Sequence, residues 1–328
     1  MGSCFRIERL NKDEGFWLKN GGMLLEKLIA SCNGKCNPIR MYSSEELRKA
    51  TNDYNDGQEI SRYVHFVLYK GFLHDREISV KWYKSSHSHS LETAMTDIVI
   101  SSQMSVHKNV LKLIGCCLET QSPILVYEFG GEQNLKNYMS DIGKGQAEQL
   151  TWKSRKKIAI DIANAVAYLH TALPRPVIHR GLSLVSMVID TDYVAKLADF
   201  SLSVTIPEGK SHVVEDCITG ITGYMAPEVL KFKINEKADV YSFGIVLLEL
   251  VTRRKSDQLE EATLQEFVWD HVENNRITEI VDQNILIEGI NYEELASFIK
   301  IALHCTQENP EDRPTITDVA KQLRQLEL

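Results

Sequence analysis

The sequence contains no long hydrophobic run. No stretch approaches the ~18 apolar residues that a membrane-spanning helix needs. The most apolar segment, FGIVLLELV at 243–251, is short and contains Glu249, which is typical of a helix buried in a protein core. Internal repeats and low-complexity tracts are also missing, which argues against a repeat architecture.

Clustered positive charge and paired cysteines are missing as well. The formal net charge is -8, which argues against a general nucleic-acid binder, because phosphate contacts need clustered Lys and Arg. The seven cysteines are odd in number and irregularly spaced. Cys32 and Cys36 have no second ligand pair at zinc-site spacing. We therefore expect no metal site, and reduced thiols in a cytosolic protein.

The remaining composition is that of an ordinary globular protein. With 328 residues, 43% hydrophobic and 25% charged, the chain can form one large domain or two moderate ones. At the N-terminus, Gly2 is a candidate for myristoylation and Cys4 for palmitoylation, a pair strong enough for stable membrane anchoring. Arg6, however, stands where the myristoylation pattern prefers Ser or Thr. We expect a cytoplasmic protein whose plasma-membrane association depends on these two acylations.

An amphipathic helix is predicted within residues 1–40, a leader before the main domain. In GGMLLEKLIASC the apolar residues recur at i, i+1, i+4 and i+5, the spacing of one helical face. These residues are Leu24, Leu25, Leu28 and Ile29. The two glycines at 21 and 22 predict the start of the helix, and Asn33-Gly34 predicts its end. The face either packs on the main domain or docks a partner, and the residues alone leave both open.

The rest of the chain divides into a strand-rich part and a helical part. EISVKWYK and SPILVYEF read as strands, with the helical segment LETAMTDIVISSQM between them. From about residue 130 the pattern is mostly helical. This order predicts an α+β fold with two lobes, a β-rich N-lobe at about 41–129 and a helical C-lobe at about 130–328.

A series of short motifs occurs in one order along most of the chain. The motifs are VKWYK around Lys81, HKNVLKLIGCCLE at 107–119, ILVYEF at 124–129, LTWKSRKKIAIDIANAVAYLH at 150–170, HRG at 179–181, ADFS at 198–201, GYMAPE at 223–228, KADVYSFG at 237–244 and Arg313-Pro314. In this order they resemble the motifs of protein kinases, and of plant receptor-like kinases in particular. The resemblance implies the two-lobed kinase fold.

The catalytic loop departs from the kinase pattern. His179 and Arg180 match His-Arg-Asp, but Gly181, Ser183 and Ser186 stand where kinases carry the catalytic Asp, a Lys and a metal-binding Asn. The loss of a general base alone costs roughly 10²–10⁴ in rate. The resemblance therefore implies a pseudokinase, which is not an enzyme.

The phosphate-covering loop has also lost its glycines. Aligned on Tyr69-Lys70-Gly71, the three glycine positions fall at Ser61, Tyr63 and Phe66. Glycine allows the backbone to approach the phosphates closely, and the bulky side chains of Tyr63 and Phe66 oppose this.

Some groups that bind nucleotide in kinases remain. Lys81 stands at the phosphate-binding lysine, with Asp97 as its expected partner in a structural ion pair, and Asp199 stands at the magnesium-binding position of Asp-Phe-Gly. We expect no cofactor, with residual ATP binding left open. Among scaffold residues, the resemblance implies that Glu228 pairs with Arg313 and that Asp239 supports the catalytic-loop backbone.

The leader indicates which group of plant kinases the chain resembles. Residues 17–54 resemble the segment before the kinase domain in plant wall-associated-type and receptor-like cytoplasmic kinases. Together with HRG and the altered glycine loop, the chain looks most like the plant HopZ-ETI-deficient-related pseudokinases. This resemblance implies an adaptor in innate immunity, held by a coiled-coil NLR through its leucine-rich repeats. It also implies recognition of a bacterial effector, or of an effector-modified cytoplasmic kinase decoy.

Two surfaces are candidates for these roles. The four apolar residues of the leader helix would enter a hydrophobic groove of the repeat domain. The activation segment, 201–223, would be the sensing surface, unless it is an ordinary flexible loop. Its candidate residues are Ser203, Thr205, Lys210, Ser211, His212, Thr219 and Thr222.

Two other functions remain open at this point. Lys81 and Asp199 would suit a weakly active or ATP-binding receptor-like cytoplasmic serine/threonine kinase. A kinase fold without chemistry would also suit an allosteric activator of a partner kinase.

Overall fold

The computed structural model describes residues 12–32, 38–84, 89–140, 150–190, 194–256 and 263–326. The acylation candidates Gly2 and Cys4, and Cys36, lie outside these ranges. The chain forms two compact units: Met1–Ser102 with Lys112–Phe129, and Gln103–Leu111 with Gly130–Leu328.

A six-stranded sheet forms the first unit. Its strands are β1 (Arg40–Met41), β2 (Glu59–Arg62), β3 (Phe66–Leu73), β4 (Arg76–Tyr83), β5 (Leu113–Cys117) and β6 (Ile124–Glu128), in the order β1-β5-β6-β4-β3-β2. Among the described residues of this sheet, β1 pairs with β5 in parallel and the other pairs are antiparallel. His74 and Asp75 join β3 to β4 with positive φ at both positions, which suits the twist of a two-residue hairpin. This hairpin places Phe66 opposite Tyr83 and Leu68 opposite Lys81.

Three helices accompany this sheet in the chain: α1 (Lys12–Cys32), α2 (Ser44–Ala50) and α3 (Ser90–Met104). The strongest start signal belongs to α2, where Ser43 and Glu46 form a capping box. The predicted start of α1 at the glycines is wrong, because the helix begins nine residues earlier, at Lys12 rather than Gly21, and runs through both glycines. Glycine inside a helix costs about 1 kcal/mol. The amide of the buried Asn20 donates hydrogen bonds to the carbonyl oxygens of Leu118 (3.0 Å) and Thr120 (2.9 Å), which fix the helix there.

The second unit is mainly helical. Its helices are α4 (Leu135–Ser140), α5 (Trp152–Thr171), α6 (Lys237–Thr252), α7 (Leu264–Glu273), α8 (Gln283–Ile287), α9 (Tyr292–Cys305) and α10 (Ile316–Gln325). Every residue of α6 from Ala238 to Thr252 is buried, so this helix forms the centre of the core, as its apolar sequence predicts. None of the helices in the described ranges is long and apolar enough to cross a bilayer.

Three short strand pairs hold the loops of the second unit. They are β7 (Val177–Ile178) with β10 (Val204–Thr205), β8 (Met187–Ile189) with β9 (Ala195–Leu197), and β11 (Val213–Val214) with β12 (Lys233–Ile234). The pair β7 and β10 joins the segment before HRG to the segment after ADFS, and β11 lies within the activation segment. A β-rich unit and a helical unit confirm the predicted α+β class.

Candidate functional site

The side chain of Lys81 is buried on β4 and paired. Its Nζ lies 2.6 Å from Oδ2 of Asp97 on α3, and both side chains are almost fully buried. The carboxylate also accepts hydrogen bonds from the Tyr83 hydroxyl (2.7 Å) and the Ser101 hydroxyl (3.0 Å). Lys81 and Tyr83 reach the same carboxylate because alternate residues of a strand share a face. The predicted ion pair is therefore present, and it is part of a hydrogen-bonded network.

Aromatic rings cover the ammonium group of Lys81. The Phe66 ring centroid lies 4.1 Å from Nζ, and the Tyr83 centroid lies 4.9 Å from it. Both distances are within the range of cation–π attraction. Phe66 packs in turn against Tyr63, with ring centroids 4.6 Å apart. Two of the three altered glycine positions thus supply an aromatic lid over Lys81, which spacing alone did not reveal.

The loop between β2 and β3 closes on itself. The backbone N–H of Tyr63 donates to the Phe66 carbonyl (2.9 Å), and the Lys84 ammonium donates to the Tyr63 carbonyl (2.5 Å). Ser61, the first altered glycine position, pairs with Leu68 in the sheet. The Tyr63 N–H, which a phosphate-covering loop would offer to the ligand, is therefore already used within the loop.

In the second unit, Asp239 anchors the catalytic loop. Its carboxylate accepts hydrogen bonds from the backbone N–H groups of His179 (2.7 Å) and Arg180 (2.9 Å), and it lies 2.8 Å from His170 Nε2. Full burial would raise the pKa of Asp239. The hydrogen bond from His170 and the charges of His170 and His179 outweigh burial and hold the pKa below its ordinary value. The implied support of the catalytic-loop backbone is confirmed.

The three altered positions of the catalytic loop carry no carboxylate, ammonium or amide side chain. Gly181 donates its N–H to His179 Nδ1 at 3.2 Å. The buried Ser186 hydroxyl accepts from the Ser183 N–H (3.2 Å) and donates to the Ser183 carbonyl (3.0 Å), so it is engaged inside its own 3-10 turn. From Gly181 to Ser186 the sequence has no carboxylate or amide side chain.

Asp199 keeps the geometry expected before Phe200. Its φ is 64°, a left-handed conformation that is uncommon outside glycine, and Phe200 is fully buried with its ring 5.1 Å from that of His179. Within the described ranges, no cluster of three or more His, Cys, Asp or Glu side chains could hold a metal ion.

Magnesium and ATP, which the kinase fold implies, fit these groups poorly. The ammonium that would bind phosphates is enclosed by Asp97 and the ring of Phe66. The hydroxyl at the metal-binding position of the catalytic loop is engaged in its own turn. Each unit on its own therefore disfavours the nucleotide complex.

Arg180 ties the activation segment to the catalytic loop. Its guanidinium forms an ion pair with Glu215 and donates to the carbonyl of Leu202, and both partners of the ion pair are mostly buried. Burial lowers the pKa of Arg180, and the charge of Glu215 opposes this. Glu215 was not among the residues predicted from the sequence. The one available signal was an acidic residue in the activation segment of a chain that retains Arg180.

The predicted sensing residues differ in exposure. The prediction that Ser203 belongs to the sensing surface is wrong, because Ser203 is buried and its hydroxyl donates to the His179 carbonyl (3.5 Å). The other candidates fall into an exposed group, Lys210, Ser211 and Thr222, and a half-buried group, Thr205, His212 and Thr219.

A buried ion pair completes the frame of the second unit. Arg313 binds both carboxylate oxygens of Glu228, at 2.6 and 2.8 Å, as the kinase resemblance implies. Such bidentate pairs add geometric specificity as well as energy. This pairing is confirmed.

The four apolar residues predicted to share one face of α1 do not do so. Leu24 is only 7% exposed, whereas Leu25 and Ile29 are 58% and 54% exposed, and Leu28 is intermediate. Leu24 follows Asn20 by one helical turn, so the two lie on the inward face. Leu18 is 56% exposed. Together with Leu25 and Ile29 it forms an exposed apolar row at i, i+7 and i+11, the outward stripe of α1.

Comparisons with known proteins agree with this geometry. A family model described as protein tyrosine and serine/threonine kinase matches residues 63–323. The chain is 40% identical to the Arabidopsis thaliana protein named non-functional pseudokinase ZED1, over 98% of this chain and 99% of ZED1. From the same plant, it is 36% identical to serine/threonine-protein kinase ZRK1, over 99% of this chain and 96% of ZRK1. It is 34% identical to non-functional pseudokinase ZRK2, over 96% of this chain and 91% of ZRK2. The chain therefore belongs to the protein kinase family and, within it, to the plant HopZ-ETI-deficient-related pseudokinases.

Proposed function

We propose that this chain is a catalytically inactive adaptor of plant innate immunity. The observation that carries the proposal is the enclosure of Lys81, whose ammonium contacts Asp97 and the Phe66 ring. Phosphoryl transfer depends on positioned charges around the nucleotide. Here the lysine is engaged elsewhere, and the catalytic loop carries Gly181 in place of the general base.

The inactivity is tested with purified protein, radiolabelled ATP and magnesium. We expect no incorporation into the protein itself or into a generic substrate. The Lys81→Ala variant provides the comparison. Clear incorporation by the natural protein, abolished in that variant, would show a working kinase and end the proposal.

The outward stripe of α1 is the proposed contact with the leucine-rich repeats of a coiled-coil NLR. Leu18, Leu25 and Ile29 form an apolar row, while Leu24 and the Asn20 amide hold the helix on its own unit. A helix that is fixed on one face and apolar on the other fits the helix-in-groove mode of recognition. A few such anchors usually carry most of the binding energy.

This contact is tested by titrating the full-length chain with a purified leucine-rich-repeat domain of a coiled-coil NLR. Leu25→Asp and Ile29→Asp are each expected to weaken binding at least about 30-fold, the effect of losing a binding hot spot of 2 kcal/mol or more, with an unchanged melting temperature. Glu26→Ala, an exposed change between them, is the matched control and should bind normally. Normal binding by both Asp variants would remove α1 from the interface.

The activation segment is the proposed sensing surface for a bacterial effector or an effector-modified cytoplasmic kinase. The ion pair between Arg180 and Glu215 supports this role, because it holds the segment without added phosphate. Exposed Lys210 and Ser211 lie in the same segment. Lys210→Glu should weaken binding of a modified kinase with little effect on the NLR contact, and equal loss of both would indicate misfolding.

A weakly active kinase is the second candidate. Asp199 remains at the magnesium-binding position, and the relative ZRK1 carries the name of a serine/threonine kinase. An increase in melting temperature with magnesium and ATP would favour this candidate. We expect no such increase.

A further inference from the structure

Three consecutive residues between α2 and β2 have a left-handed backbone. Asn52, Asp53 and Tyr54 have φ values of 51°, 57° and 55°. One left-handed residue after a helix is common, whereas three in a row are not, because each side chain crowds the following carbonyl oxygen. Asn and Asp tolerate this conformation better than a bulky residue such as tyrosine. We call residues 52–54 the left-handed turn.

Hydrogen bonds define the closed form of the left-handed turn. The backbone N–H groups of its three residues donate to oxygen atoms in the last turn of α2 or directly after it, at 2.7–3.3 Å. The acceptors are the carbonyl oxygens of Lys49 and Arg48 and the hydroxyl of Thr51. The backbone donors are therefore paired, although the backbone conformation itself is unfavourable.

Aromatic contacts hold Tyr54 against the sheet. Its ring stacks on that of Trp82 on β4, with centroids 5.2 Å apart and an angle of 28° between the planes. It also meets the ring of Tyr69 on β3 edge-on, with centroids 5.4 Å apart. Aromatic pairs at these distances attract each other beyond the effect of the area they bury. These contacts oppose the preference of Tyr54 for another backbone conformation.

The Tyr54 hydroxyl adds a second cost to the closed form. Its oxygen is buried and has no hydrogen-bond partner among the residues that the structure describes. Burial raises the pKa of this hydroxyl above its ordinary value, so the group stays neutral. A buried hydroxyl without a partner loses its hydrogen bonds to water and gains none in return. The ring contacts therefore work against both the backbone conformation and the hydroxyl.

We propose that the left-handed turn is a conformational latch that opens locally while the rest of the first unit stays folded. In the open form Tyr54 leaves Trp82, its hydroxyl reaches water, and the backbone leaves the left-handed region. Water replaces the three backbone hydrogen bonds, so the main loss is the aromatic contact. The latch sets how much of the Trp82 ring, 39% exposed in the closed form, the first unit presents to solvent. It requires neither the NLR nor an effector.

Amide hydrogen exchange of the full-length protein, followed by mass spectrometry, measures this opening. Peptides that cover the left-handed turn should exchange at least about tenfold faster, after correction for intrinsic rates, than peptides of the hairpin between β3 and β4. Tyr54→Phe keeps the ring and removes the unpaired hydroxyl. Opening should then be at least about fivefold rarer, the effect of removing one buried unsatisfied polar group.

A matched pair of glycine variants tests the backbone strain. Asp53→Gly removes the side chain that opposes the left-handed conformation, so exchange at the turn should slow. The ion pair that it deletes, with Arg48, is exposed and contributes little. The control is Asp56→Gly, the same change at an exposed residue whose φ is not positive. Exchange should not slow in the control, because glycine there only adds freedom to the open chain.

Two results would overturn the latch. The first is exchange at 52–54 as slow as in the hairpin, which would mean that the turn opens only when the whole unit unfolds. The second is exchange at 52–54 that neither Tyr54→Phe nor Asp53→Gly slows, because the hydroxyl and the backbone conformation would then store no cost in the closed form.

Discussion

Lys81 Nζ lies 2.6 Å from Asp97 Oδ2, in a buried network that also includes Tyr83 and Ser101. In a kinase the equivalent lysine is shared with the phosphates of ATP. Here the ring of Phe66 covers the ammonium, so the pair acts as part of the core of the first unit. Lys81 and Asp97, which stand at nucleotide-site positions of the kinase fold, thus have partners inside the first unit.

Removal of the cation alone should therefore destabilise the fold. Lys81→Met leaves the Asp97 carboxylate buried without its cation, and breaking such a pair costs about 3–5 kcal/mol. The double variant Lys81→Met, Asp97→Leu should recover part of that loss, because it removes the buried unpaired charge, while the Tyr83 and Ser101 hydroxyls lose this acceptor. Urea unfolding measures both values.

The exposed pair of Lys49 and Glu45 provides the control for this cycle. Lys49→Met should change the free energy of unfolding by less than about 1 kcal/mol. If Lys81→Met lowered the free energy of unfolding by as little as Lys49→Met does, Lys81 would not stabilise the fold, and its retention would instead indicate a ligand.

Repair of the catalytic loop alone should not create a kinase. A Cβ at Gly181 would lie 3.5 Å from the nearest side-chain atom outside its chain neighbours, so a side chain can begin at this position without a clash at its first carbon. The triple variant with Ser183→Lys and Ser186→Asn should still transfer no labelled phosphate, because Phe66 remains over Lys81. Adding Tyr63→Gly and Phe66→Gly should be required for detectable transfer. Activity of the triple variant by itself would refute the importance of the aromatic lid.

Loss of Glu215 should loosen the activation segment. Glu215→Ala leaves the mostly buried Arg180 guanidinium without its carboxylate partner. The strand β11 should therefore separate from β12 more often. Limited proteolysis followed by mass spectrometry should show faster cleavage within 207–222. The control is Asp216→Ala, a change at the neighbouring exposed residue. This variant should be cleaved at the same rate as the natural protein. Equal rates for both variants would mean that the ion pair does not hold the segment.

Acid should weaken the catalytic-loop anchor. The pKa of Asp239 is lower in the folded protein than its ordinary value of about 3.9. Its contribution to stability is therefore present above about pH 4 and is lost as the pH falls through the lowered pKa. His170→Gln removes a group that lowers this pKa, so the loss of unfolding free energy below pH 4 should become smaller. Urea unfolding of both proteins between about pH 3 and 6 checks this, and an unchanged acid slope would contradict it.

Sequence reasoning identified positions better than contacts. It identified the pairs Lys81–Asp97 and Glu228–Arg313, because motif order places these residues in a known frame. It did not show that Phe66 lies over Lys81, because that contact depends on the register of the hairpin between β3 and β4. It also could not rank the sensing residues, since the burial of Ser203 depends on the packing of its segment.

The leader helix shows the same limit. Its hydrophobic spacing predicts a helix but not its rotation about the helix axis. The buried Asn20 amide sets that rotation by binding two carbonyl groups far along the chain, which turns Leu24 inward and Leu25 outward. Hydrophobic spacing does not distinguish Leu24 from Leu25, although only Leu25 is exposed to a partner.

The fold class, the motif order and the absence of a carboxylate or amide between Gly181 and Ser186 could be predicted without a structure, because they depend only on which residues are present and in what order. The enclosure of Lys81 by Phe66 and the ion pair of Glu215 with Arg180 could be seen only in the folded protein. Each of these joins side chains that are distant in the chain, so its geometry arises only when strands and helices pack.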